Sequence, residues 1–172
     1  MTNQMQNVKL DKLVLNIGIG PSEDKLDNAK ALLKKLTGRE PAYTKAKKRF
    51  PEFGIRRGQI IGTVVTLRNK QASDFLKSAL EAIDNRVGGN ALAGNSINFG
   101  IKEYIEFSGI KYDPKIGMLG LNVNASFSRP GVRVETRKRR SGKVGVRHRR
   151  ISKEELQEYL KKNFGAIVAE AE

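Results

Sequence analysis

The chain has 172 residues, 38% hydrophobic and 30% charged, with a formal net charge of +15 and no cysteine. Disulfides and Cys-based zinc or iron sites are therefore excluded, and no apolar window approaches the length a membrane-spanning helix needs. Met1 to Asn7 are polar, unlike a signal peptide, so an intracellular, soluble chain folded as a single domain over residues 1–172 is expected.

From Lys12 to Gly20, Leu13, Leu15, Ile17 and Ile19 alternate with Val14, Asn16 and Gly18, the period-2 pattern of a half-buried strand with Asn16 turned away from the core. Ser22 is placed as an N-cap, and Leu26, Ala29, Leu33 and Leu36 form a helical stripe that stops at Gly38. Pro41 to Thr44 reads as a short strand. It leads into a basic segment whose Pro51, Gly54 and Gly58 predict an exposed loop. Gln59 to Arg68 reads as a strand with two partly apolar faces, Ile61, Thr63, Val65 and Leu67 on one and Ile60, Gly62, Val64 and Thr66 on the other.

A second amphipathic helix is expected from Ala72 to Val87, closed by Gly88 and Gly89. Asn90 to Asn98 reads as a loop, Phe99 to Phe107 as a strand region and Leu119 to Phe127 as another strand. A basic arm spans residues 129–150. It is followed by a C-terminal helix over 152–164, marked by the Ser152–Glu155 capping box, the staple pair Ile151 and Leu156, and the stripe Leu156, Tyr159, Leu160 and Phe164. Strands and helices without a regular βαβ repeat predict an α+β fold: a mostly antiparallel sheet with helices packed on one face and the other face free.

Little in the chain suggests catalysis or a cofactor. Gly18 and Gly20 precede a helix, but Glu23 stands where a dinucleotide fingerprint needs glycine and no Walker sequence follows, so a tight turn is expected. The single histidine, His148, has no cysteine to join in a metal cluster and reads as one more polar group of the arm. Glu103 and Glu106, on a predicted strand, point to opposite faces and do not form an acid–base pair.

Charge is the informative feature. Lys45 to Arg57 carries six basic residues and one acidic, and Arg129 to Arg150 carries ten and one, leaving 17 basic and 16 acidic residues in the rest of the chain. A near-neutral body with two basic projections is the footprint of a polyanion binder. Lys45, Lys47, Lys48, Arg49, Arg56, Arg57, Arg68, Arg129, Arg133, Arg137, Lys138, Arg139, Arg140, Arg147, Arg149 and Arg150 are the candidate phosphate ligands. Phe50 and Phe53 interrupt the first segment, where they either stack on unpaired bases or close the loop as core. Two other classes fit basic surfaces: an RNA-processing enzyme, which lacks a visible acid, base or metal cluster, and a nonspecific nucleic-acid compaction protein.

Five motifs carry more than composition can. N-I-G-I-G at Asn16 to Gly20, T-K-A-K-K at Thr44 to Lys48, F-G-I-R-R-G at Phe53 to Gly58, I-G-T-V-V-T-L-R at Ile61 to Arg68 and F-G-I-K-E at Phe99 to Glu103 resemble, in order and spacing, the "L-five" family of large-subunit ribosomal proteins that hold 5S rRNA. Y-D-P-K-I-G-M-L-G-L at Tyr112 to Leu121 and R-P-G-V-R-V at Arg129 to Val134 resemble its archaeal branch. The resemblance implies a cytoplasmic ribosomal protein of the central protuberance, without catalysis or cofactor, that binds 5S rRNA and contacts 23S rRNA and neighbouring ribosomal proteins. It also implies that the loop over residues 44–58 reaches P-site tRNA. By position it implies 5S contacts at Asn16, Phe53 and Thr66. Arg39 stands where the family has a glutamine.

Overall fold

The computed structural model describes residues 3–168, apart from the side chains at 23 and 24. The two residues before and the four after, part of the expected 1–172 span, lie outside the described residues. In chain order the elements are β1 (Lys9–Gly18), α1 (Glu23–Thr37), β2 (Ala42–Lys45), β3 (Ile60–Leu67), α2 (Asn69–Glu81), β4 (Arg86–Val87), β5 (Leu92–Ala93), β6 (Ser96–Ile101), β7 (Leu121–Ser128), α3 (Arg133–Thr136), α4 (Val146–Arg149), α5 (Lys153–Phe164) and β8 (Ile167–Val168). Six strands form one sheet in the order β2-β3-β1-β7-β6-β5, and all its pairings are antiparallel. β4 and β8 form a separate parallel pair.

The alternation in β1 organises the core. Leu13, Leu15 and Ile17 are buried on one face, where their register partners are Leu67, Val65 and Thr63 of β3, and Ala125 and Val123 of β7 stand opposite Leu13 and Leu15. Against that face pack Ala29, Leu32 and Leu33 of α1, Ala72, Leu76 and Leu80 of α2, and Leu156 and Leu160 of α5. Each fully buried leucine contributes roughly 1.5–3 kcal/mol of transfer free energy. Helices thus occupy one face, as the α+β expectation required. Of the two faces of β3, the one with Thr63, Val65 and Leu67 is the packed one; Thr63 is fully buried and, among the described residues, its Oγ1 has no hydrogen-bond partner.

Helix ends follow local chemistry with two exceptions. At α5 both halves of the capping box form, Glu155 N–H donating to Ser152 Oγ and Ser152 N–H to the Glu155 carboxylate. Gly38 ends α1 in the left-handed conformation. Ser22 occupies the N-cap of α1, but its side chain makes no capping bond. α2 starts three residues before Ala72 and ends at Glu81, well before Val87, because Asp84 and Asn85 take positive φ and turn the chain into β4. The stretch expected as loop over 90–98 contains β5 and the start of β6, while Tyr104–Glu106 is a 3-10 turn rather than strand. Glu103 therefore precedes this turn and Glu106 closes it, and the two do not share a strand.

A missing side chain at Gly62 and the amide of Asn95 hold this arrangement. A Cβ on Gly62 would lie 2.5 Å from the Ile17 carbonyl oxygen, so β1 and β3 approach only because position 62 has none. The turn after β1 closes on β3: the N–H groups of Ile19 and Gly20 both donate to the Ile61 carbonyl, and Gly20 takes a positive φ of 86° there. Asn95, in the β5–β6 turn, donates from Nδ2 to the Arg149 carbonyl at 2.6 Å and accepts from Ile151 N–H at 3.1 Å. It therefore pins the end of the basic arm to the sheet.

Gly62→Ala is expected to destabilise the protein by about 1–3 kcal/mol, the usual cost of forcing atoms into a packed site, measured by urea unfolding. Asn95→Ala should leave α5 protected while amide exchange across residues 129–150 accelerates; unchanged exchange in the arm would show that Asn95 does not hold it.

Candidate nucleic-acid interface

The face of the sheet opposite the helices is uncovered, and its composition is set by the same alternation. Reading across the strands, one row runs Gly100, Asn122, Asn16, Val64 and Ala42, and the next runs Asn98, Asn124, Val14 and Thr66. A third holds Ser96, Ser126 and Lys12, and a fourth Ser128 and Lys9. Directly paired side chains in such rows stand ~5 Å apart. Asn16, Asn98, Asn122 and Asn124 meet around a shallow depression, which Gly100 keeps open because a Cβ there would lie 3.3 Å from Asn122 Oδ1. Among the described residues, Asn16, Asn122 and Asn124 spend no side-chain hydrogen bond within the chain, so each offers an acceptor and two donors outward.

Asn98, Asn122 and Asn124 were not among the residues singled out from the sequence. The signal was present in L-N-V-N-A-S-F-S at Leu121 to Ser128, where polar residues alternate with Leu121, Val123, Ala125 and Phe127 of the core. Asn16 and Thr66 do come together, on the same face of adjacent strands. The other two expected contacts lie elsewhere. Phe53 is 68% exposed on the loop beyond the sheet, and Arg39 donates from Nε to Gln71 Oε1 of α2 at 2.9 Å.

The first basic segment is an ordered hairpin that continues β2 and β3. Ala46 N–H donates to the Gln59 carbonyl and Gly58 N–H to Ala46, and farther out Phe50 and Ile55 exchange both backbone bonds around the turn Pro51–Phe53. Phe50 and Phe53 are exposed, which excludes their being core. Lys45, Lys47, Lys48, Arg49, Arg56 and Arg57 are all exposed, and among the described residues none is in an ion pair. At its base, Tyr43 donates its hydroxyl hydrogen to Asp27 and lies under the Lys30 ammonium, while Lys34 and Lys30 hold the Glu40 carboxyl below the usual carboxylate range. These contacts couple β2 to α1.

The arm is folded back on itself. Arg149 pairs with Glu135 at 2.9 Å, the His148 ring Nε2 lies 2.9 Å from the Pro130 carbonyl, and Gly142 N–H donates to Val134. An acceptor oxygen there requires that Nε2 carry the proton. Arg129 differs from its neighbours: its side chain is 12% exposed and its Nη2 bonds Glu155 at 2.6 Å, so it braces the arm against α5. Arg137 donates from Nε to the Arg140 carbonyl, whereas Arg133, Lys138, Arg139, Arg140, Arg147 and Arg150 stay exposed and outside ion pairs among the described residues. Arg68 is exposed at the start of α2.

The two basic segments stand at opposite ends of β1. The hairpin leaves the sheet near Gly18 and Gly62, and the arm leaves it near Lys9 and Ser128. With ten residues in β1, these poles are about 30 Å apart at ~3.3 Å per residue. Between them lies a face that is neutral apart from Lys9 and Lys12.

Comparison with known proteins accords with this geometry. The family model for ribosomal protein L5 matches residues 3–56, and the model for the C-terminus of the same ribosomal family matches residues 60–159. The boundary between them falls in the basic hairpin, and the sheet runs across it through the β1–β3 pairing. Among the relatives, the large ribosomal subunit protein uL5 of Pyrobaculum aerophilum is 47% identical, over 95% of this chain and 92% of that one. That of Nanoarchaeum equitans is 43% identical, over 98% and 99%, and that of Sulfurisphaera tokodaii 42%, over 98% and 96%. Matched by both models and by archaeal relatives along nearly its whole length, the chain belongs to the ribosomal protein L5 family, structural proteins of the large ribosomal subunit and not enzymes.

Proposed function

We propose that this protein anchors 5S rRNA in the central protuberance of the large subunit by laying its open sheet face in an RNA groove while the two basic poles hold the flanking phosphates. One observation carries the reading: a surface of outward amides and hydroxyls, almost without charge, lies between two clusters of exposed cations. Phosphate contacts position an RNA but do not distinguish it, whereas neutral donors and acceptors read 2′-hydroxyls and base edges across a wide, shallow minor groove. Asn16 and Thr66 act there together with Asn98, Asn122 and Asn124. A nonspecific compaction protein would have little use for such a face, because its affinity comes from charge alone.

The hairpin over residues 44–58 serves a second contact, to 23S rRNA and P-site tRNA. Its paired backbone holds Phe53 and Phe50 out for stacking and presents Lys47, Lys48 and Arg49 to phosphates. Arg39, bound to Gln71, contributes at the margin of the 5S footprint rather than at its centre. In this reading residues 1–172 work as one RNA-binding unit, with neighbouring ribosomal proteins completing its surroundings.

Asn16→Ala and Asn122→Ala should each weaken 5S rRNA binding by about 3- to 10-fold, the scale of one neutral hydrogen bond, with the unfolding midpoint unchanged. Equal affinity in both variants would contradict the assignment of the face. Changing Lys47, Lys48 and Arg49 to Gln should instead lower the dependence of log K on log salt by about 0.7–0.9 per lost phosphate contact. It should leave the ranking among RNAs unaltered; loss of 5S preference would make the hairpin the reader.

A further inference from the structure

We propose that the cleft at the root of the basic arm is a binding site for a single unpaired nucleotide of the bound rRNA. This rests on the reading that the open face lies on RNA. The cleft holds about 570 Å³ and is walled by Lys9 and Asp11 of β1, Asn69 at the start of α2, Ser128 at the end of β7, and Arg133 and Thr136 of the arm. That volume lies in the range of small-ligand sites, ample for one base and its ribose.

Position argues for RNA as the source of the occupant. Lys9 and Ser128 are register partners and lie on the open face, in line with the row of Ser126 and Lys12. The cleft therefore lies at the end of the sheet, where Lys9 and Ser128 close the open face and α2 begins, and a groove-bound RNA extending past that end reaches it. A bulge between Leu10 and Lys12 places the extra residue Asp11 at its edge.

The donor set fits a nucleotide better than a bare phosphate. Lys9 and Arg133 are exposed and outside ion pairs among the described residues, so they can take the phosphates on either side of a splayed base. Asn69 and Ser128 supply neutral donors and acceptors, and Thr136, whose hydroxyl donates to the Arg133 carbonyl at 3.2 Å, supplies an acceptor. The Asp11 carboxylate repels phosphate but accepts from an exocyclic amine, an N–H edge or a 2′-hydroxyl. Unpaired bases displayed in this way are the usual targets of sequence-specific RNA recognition.

The walls are held in place before any RNA arrives. His148 on Pro130, Arg149 on Glu135 and Arg129 on Glu155 fix the arm root; among the described residues the buried Nε of Arg129 has no partner. Gly131, at φ +92°, takes the left-handed conformation that glycine favours and so lets the chain turn tightly there. Asn69 also has positive φ, at 56°, so Asn69→Gly removes its amide without straining the backbone.

Base-specific probing with dimethyl sulfate and carbodiimide tests this, on total large-subunit rRNA bound by the full chain or by the Asn69→Gly and Asp11→Ala variants. The expected result is one unpaired nucleotide, shielded by the wild type, whose reactivity rises about tenfold in both variants, the upper scale of one lost hydrogen bond. The rest of the footprint should stay intact and so report that the fold survives. Identical footprints for all three proteins would overturn the proposal, as would uniform weakening of every protection. Because the probe contains both 5S and 23S rRNA, failure of the 5S assignment, read from Asn16→Ala, is separable from failure of the cleft.

Discussion

The pairing of β1 between β3 and β7 is the constraint on which the rest depends. Side chains in a strand alternate strictly, so burying Leu13, Leu15 and Ile17 under the helices obliges Val14, Asn16 and Gly18 to face outward. A slip of one residue would expose the core and bury Asn16, which makes the register costly to change. The neighbouring strands inherit the same order. Asn122 and Asn124 on β7 and Asn98 on β6 reach the open face only because Val123, Ala125 and Ile97 are drawn inward. Stability and the composition of the open face are thus two sides of one hydrophobic alternation.

Charge is organised around that sheet rather than spread over it. Cations stand where the chain leaves the sheet, at the hairpin and the arm, and the middle is left to amides and hydroxyls. In the proposed reading, the division lets the protein hold a strongly charged polymer and still distinguish one folded RNA from another. Long-range attraction from the poles acts on any phosphate chain, while short-range hydrogen bonding from the face rewards only a groove of fitting shape. Not every arginine of the arm belongs to the attracting set. Arg129 is bonded to Glu155 and Arg149 to Glu135, so part of the arm's positive charge shapes the arm itself.

Much of this was legible in the residues. The strand alternation at Leu13 to Ile17, the helix stop at Gly38 and the capping box at Ser152 each rest on local chemistry, and each appears in the structure. Asn16 faces outward as its position demanded. Other features depend on tertiary context. Which face of β3 packs is decided by its pairing with β1, not by its own two partly apolar sides. The early end of α2 depends on Asp84 and Asn85 entering a conformation that helical periodicity does not register. Asn98, Asn122 and Asn124 are ordinary polar residues until the sheet aligns three strands and gathers them beside Asn16. Phe53 and Arg39, named through family resemblance, lie apart from that cluster because one is on the hairpin and the other is tied to α2.

A salt titration of the full chain against 5S rRNA, a transfer RNA and a duplex DNA of similar length tests the central claim most directly. If a neutral reading face acts beside the basic poles, affinities for all three should fall as salt rises from about 50 to 200 mM, where purely ionic binding through 6–10 phosphates loses roughly a thousandfold or more. The preference for 5S rRNA should then persist or widen. Three curves that fall together, with no preference at any salt, would contradict the account and leave only the cations of the hairpin and the arm as the binding surface.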